Sequence, residues 1–90
     1  MSVVITAPTP SGCFDRAFRA ALAARGDPNT QVAAAAQLGK SKQVYHAFVS
    51  GGWPATRTLD AYLDKAAALG VRIALARQVD GTWSATMDPK

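Results

Sequence analysis

Lys42, Gln43 and His46 stand within one short stretch, QVAAAAQLGKSKQVYHAFVSG at residues 31 to 51, and their side chains are of the kinds that grip nucleic acid. A lysine ammonium donates to guanine acceptors or to phosphate, and a glutamine amide can pair with both edge groups of adenine. His46 follows Lys42 by one helical turn and faces the same way, toward base or phosphate. The bland alternative for all three is a solvated helix surface. Gln31 can hand its amide to a phosphate that a helix start also attracts through its free N–H groups, or simply cap that helix. Ser41 can cap a helix and touch a phosphate together, and Lys40 beside it is either a phosphate contact or a solvated side chain.

Catalytic chemistry finds no comparable set. A lone histidine without partners makes no acid–base site. Asp60 and Asp64, one turn apart, have no histidine or second pair near them in sequence and read as a charged outer face. Cys13 is the single cysteine, which excludes an internal disulfide and a multi-cysteine metal site and leaves an idle or buried thiol. The expectation is a protein that is not an enzyme, with no cofactor, no metal and no catalytic residues.

The elements that must hold these side chains follow from spacing. Phe14, Phe18 and Leu22 recur every four residues with Ala17 and Ala21 beside them, so a first helix is predicted over about 12 to 25, capped by Thr9 or Ser11 and stopped by Gly26 and Asp27-Pro28. Thr30 caps a second helix from Gln31 to Leu38, in which Ala35 is small enough for a close crossing. Gly39 supplies the positive backbone angle of a tight turn. Ser41 caps a third helix that ends at Gly51-Gly52, with Tyr45 and Phe48 facing inward. Trp53 and Pro54 form the link onward, Trp53 as a lid over the core. Thr56 or Thr58 opens a fourth helix, with Leu59, Leu63, Ala66 and Ala67 on one face and Gly70 as its stop.

The period then changes to that of strands. Val71, Ile73 and Leu75 alternate with Arg72, Ala74 and Ala76, and Asp80-Gly81 is a two-residue hairpin signal before Thr82 to Met87. Pairing about that turn sets Val79 opposite Thr82 and Gln78 opposite Trp83. One face then carries Ile73, Leu75 and Val79 and the other Ala74, Ala76, Trp83, Ala85 and Met87. A hairpin with two partly apolar faces cannot bury both on one small helical body. Ile73, Leu75, Val79, Trp83 and Met87 are therefore expected to form a dimerisation element in a homodimer.

Ninety residues, 49% of them apolar and 18% charged, suit one small domain. The expected layout is a flexible N-terminal arm at 1–11, a helix-turn-helix domain at 12–70 and a C-terminal hairpin at 71–90. Of the formal net charge of +4, the window from 28 to 59 holds Lys40, Lys42 and Arg57 with no acid, so a polyanion meets an unopposed positive surface there. The apolar start lacks the features of a secretory signal and no run is long enough to span a bilayer, so a cytoplasmic protein without membrane contact is expected. Abundant alanine and arginine with no glutamate fit a GC-rich bacterial coding sequence.

From Gln31 through Leu75 the order of features resembles the Xre/Cro family of bacterial and phage regulators. The residues that carry the resemblance are Gln31, Ala35, Leu38-Gly39, Ser41, Phe48, Gly51, Pro54, and then TRTLDAYLDKAAALGVRIAL with Leu59, Ala66 and Leu69-Gly70. Two departures are Lys40, where an aliphatic residue is usual, and Tyr45, where valine or isoleucine is usual. The resemblance implies a mainly α, lambda-repressor-like helix-turn-helix bundle of four helices, here with a C-terminal β-hairpin. It also implies a homodimer on an operator of double-stranded DNA, with the third helix in the major groove and Thr56 and Arg57 along the DNA backbone. A sequence-specific transcriptional regulator, most readily a repressor of bacterial, plasmid or phage origin, is the expected function. The alternative is an antitoxin that binds a toxin protein and represses its own operon.

Overall fold

The fold centres on one helix, because a single stripe of large apolar side chains has to serve both a helical layer and a sheet. In the computed structural model, which describes residues 3–51 and 55–89, the order is β1 (Val3–Ala7), α1 (Pro10–Ala24), α2 (Gln31–Gln37), α3 (Lys42–Ser50), α4 (Thr56–Ala68), β2 (Val71–Arg77) and β3 (Trp83–Pro89). Helix α1 touches every other element. Its Phe14, Phe18, Ala17, Ala21 and Leu22 are buried, as their spacing predicts. The Phe14 ring lies parallel to Phe18 at 5.8 Å and meets the edges of Phe48 and Tyr62 at 5.9 and 5.8 Å. Phe48 and Tyr62 stack at 3.8 Å, and that contact clips α3 to α4.

The helix ends obey local rules. Thr9 accepts the Gly12 amide, Thr30 the Ala33 amide and Ser41 the Val44 amide, so three of the four helices have a side-chain N-cap. Helix α4 starts at Ala55 without one. Helix α2 closes through Gly39, at φ +70°, with the Lys40 N–H bonded to the Ala35 carbonyl at 2.9 Å and the Gly39 N–H to Ala36 at 3.1 Å. Those two bonds satisfy the last carbonyls of α2 and aim the chain into α3.

Two expectations about the β structure are corrected. Residues Val3–Ala7 are not a flexible arm; they form the strand β1, which pairs antiparallel with β3, so the hairpin is part of a three-stranded sheet of order β1-β3-β2. The hairpin register is also one residue away from the two-residue turn. Arg77 faces Trp83, Leu75 faces Ala85 and Ile73 faces Met87. The connection is a three-residue turn at Val79, Asp80 and Gly81, closed by the Gln78 N–H on the Thr82 carbonyl at 2.7 Å, with Gly81 at φ +91°. Asp80 selects this turn by accepting the Thr82 amide at 3.0 Å and its hydroxyl at 2.7 Å.

A slip of one residue exchanges the faces of one strand relative to its neighbour. Val71, Ile73, Leu75, Trp83, Ala85 and Met87 thereby share one side with Ile5 and Ala7 and pack on α1. The opposite side carries Val4, Thr6, Arg72, Ala74, Ala76 and Thr86, all exposed. The Cys13 thiol, fully buried, reaches the Ile5 and Trp83 carbonyls at 3.5 and 3.6 Å, and burial raises its pKa above the usual thiol value. Trp53 and Pro54 lie outside the described residues.

Gly39→Ala is expected to lower stability by about 1–2 kcal/mol, read from the urea midpoint. An added Cβ meets nothing within 4 Å, so the loss comes from the left-handed backbone alone. The Thr82 hydroxyl, then its amide, holds the Asp80 carboxyl below the usual carboxylate value. The turn's preference for ionised Asp80 is thus present at neutral pH and lost as pH falls through that lowered value. Thr82→Ala should return the Asp80 carboxyl toward its ordinary titration in a carbon-13 NMR pH series.

Candidate nucleic-acid interface

The sequence places two short helices around a glycine, and the structure brings α2 and α3 into contact there with Ala34, Ala35, Leu38, Tyr45 and Phe48 buried. Small residues on α2 allow the close approach, and the aromatic pair on α3 fills the space below it. Lys42, Gln43 and His46 are exposed on the outer side of α3, as are Ser41 at its start and Thr56 and Arg57 at the start of α4. The Ser41 hydroxyl is engaged as the N-cap, 3.2 Å from the Val44 amide.

Two expected phosphate contacts point elsewhere. Gln31 is half-buried, and its amide is committed inside the protein: Nε2 donates to Asp15 Oδ2 at 3.4 Å and Oε1 faces His46 Nδ1 at 3.4 Å. Lys40 is half-buried too, with its ammonium 5.7 Å from the centre of the Tyr62 ring. A cation over an aromatic face is attracted by the ring's negative surface. The lysine therefore ties the turn before α3 to Tyr62 of α4.

Asp15 is the residue that spacing did not single out. It is 3% exposed, yet it accepts the Tyr45 hydroxyl at 2.7 Å, the Arg19 guanidinium at 3.3 Å and the Gln31 amide at 3.4 Å. A buried carboxylate is tolerable only with such partners. The signal was present: Asp15 follows Ser11 by four positions and precedes Phe18 and Leu22 by three and seven, which puts it on the inward side of α1. Its need for a hydroxyl donor also accounts for Tyr45 in place of an aliphatic residue. Burial first, then the bond to Asp15 and its charge, push the Tyr45 phenol far above its usual range, so it stays a donor.

The expected dimerisation residues are corrected as well. Met87 is 2% exposed, and Ile73, Leu75 and Trp83 pack against the same chain's core. Only Val79, at the tip of the turn, is fully exposed. Among the described residues no group of three or more histidine, cysteine, aspartate or glutamate side chains is placed to hold a metal, and no helix is long and apolar enough to cross a membrane.

Compared with known proteins, the chain matches no family model, no curated protein and no solved structure. What it can do has to be read from its own surface. The outer side of α3 exposes lysine, glutamine and histidine side chains, with Arg57 exposed at the start of the next helix.

Tyr45→Phe is expected to destabilise the protein by about 1–3 kcal/mol, because Asp15 keeps its burial but loses its shortest hydrogen bond. Chemical denaturation of the variant beside the parent chain checks this.

Proposed function

We propose that the protein is a sequence-specific DNA-binding transcriptional regulator that acts as a homodimer, with α3 entering the major groove. The observation that carries this reading is the exposure of Lys42, Gln43 and His46 on one side of a helix whose other side, Tyr45 and Phe48, is locked into the core. Base readout needs side chains held by a rigid element, and a helix anchored by buried aromatics meets that need. The acid-free window from 28 to 59 contains this surface, and the one carboxylate beneath it, Asp15, is buried and paired with Arg19, so both favour attraction to phosphate. Arg57 and Thr56, at the exposed start of α4, suit backbone contacts flanking the groove.

A two-fold dimer sets two copies of α3 about one helical turn apart on DNA, roughly 34 Å centre to centre. Because Ile73, Leu75, Trp83 and Met87 serve the core, the dimer contact belongs to the outer sheet face, where Val4 on the edge strand β1 and Val79 in the turn are exposed. Occupying promoter DNA would make such a dimer a repressor.

Selection of binding sites from random duplexes tests the reading. A palindromic motif with half-sites one turn apart is expected, and binding without sequence preference at physiological salt overturns it. Gln43→Ala should alter preference at one base pair per half-site. Arg57→Ala should weaken all sequences alike and reduce the salt dependence by about one unit of slope per half-site.

A further inference from the structure

A continuous run of hydrogen bonds ties the exposed His46 to the buried Asp15, and the polarity of each bond follows from the one before. An ionised carboxylate only accepts, so Asp15 receives the Tyr45 hydroxyl at 2.7 Å and the Gln31 Nε2 amide at 3.4 Å. With its amide nitrogen turned inward, Gln31 offers its carbonyl Oε1 to His46 Nδ1 at 3.4 Å. A carbonyl also only accepts. The arrangement calls for a proton on Nδ1, which leaves Nε2 as the acceptor for the Ser50 hydroxyl 3.2 Å away.

We propose that Asp15 is a positioning residue for base readout: acting through Gln31, it holds the His46 ring in the Nδ1–H form and so presents an Nε2 acceptor on the outer side of α3. Its purpose rests on the DNA-binding reading above, whereas the position of the proton does not. An acceptor at this place takes a hydrogen from an exocyclic amino group, adenine N6 or cytosine N4. In the free protein the Ser50 hydroxyl occupies it. Three helices contribute to the run: Asp15 from α1, Gln31 as the first residue of α2, and Tyr45, His46 and Ser50 from α3. Any shift of α3 against α1 breaks it, so the hydrogen-bonding character of the reading surface is coupled to the packing of the core.

His46 is the chain's single histidine, which makes its ring nitrogens directly readable by long-range proton–nitrogen NMR at a pH where imidazole is neutral. The parent protein is expected in the Nδ1–H form. Gln31→Ala should move it toward the Nε2–H form that imidazole side chains ordinarily favour. Asp15→Asn, which offers one acceptor where three donors converge, should move it the same way, and its fold is checked by the amide spectrum. Should Asp15→Asn fail to fold, Asp15→Glu serves in its place and should also shift the form, since the longer carboxylate displaces Gln31. A parent ring in the Nε2–H form, or a tautomer unmoved by Gln31→Ala or by the Asp15 variant, overturns the relay.

Site selection supplies the second arm. Gln31→Ala should lose about tenfold discrimination at the same base pair that His46→Ala relaxes, with the salt slope unchanged. A parent chain that selects no sequence overturns the DNA-binding reading. A parent chain that selects one, with that base pair indifferent to Gln31→Ala, overturns the relay alone.

Discussion

The structure depends on the burial of one helix stripe from both sides. Phe14 on α1 packs on the aromatic rings of α3 and α4 with Phe18 stacked beside it, while Cys13 and Ala17 on the same helix are buried in the core that the sheet closes. A chain of ninety residues has little core to spare, so one helix has to be shared between two layers. The consequence is mechanical. The sheet, the α2–α3 pair and α4 all pack on α1 and are positioned relative to it.

Within that apolar frame sits one charge. Asp15 sits on the inward side of α1 and collects donors from Tyr45, Gln31 and Arg19. Apolar packing is nondirectional and tolerates small rotations of a helix, whereas a hydrogen bond to a buried carboxylate fixes angle and distance. The aromatic cluster thus holds α3 in the molecule, and Asp15 sets its rotation. A rotation of α3 by one residue would turn Tyr45 outward and Lys42 or His46 inward.

The sheet answers a different need. Its inner face closes the core beneath α1, and its outer face is lined by short or polar side chains around Val4. The central strand is β3, which arrives last in the chain and pairs with the first strand on one side and with its hairpin partner on the other. The two ends of the described chain are therefore joined through one strand. The Arg16 guanidinium bonds the Thr6 carbonyl at 2.9 Å, a further tie between α1 and β1.

Much of this was legible in the residues. The stripe of Phe14, Phe18 and Leu22, the caps at Thr30 and Ser41, the bend at Gly39 and the inward Tyr45 and Phe48 are local properties, set by helical period, side-chain hydrogen bonding and backbone freedom within a few residues. They are enough to place Lys42, Gln43 and His46 on the surface. The tertiary structure alone decided the partner of Val3–Ala7, the one-residue register of the hairpin, the inward destination of Met87 and the engagement of Gln31 and Lys40 within the protein. The register follows from the turn that Asp80 selects and from packing the inner sheet face on α1, and the others are contacts between groups far apart in the chain. Asp15 shows the boundary most clearly: its position on the helix could be counted, but the three donors that make its burial possible come together only in the folded molecule.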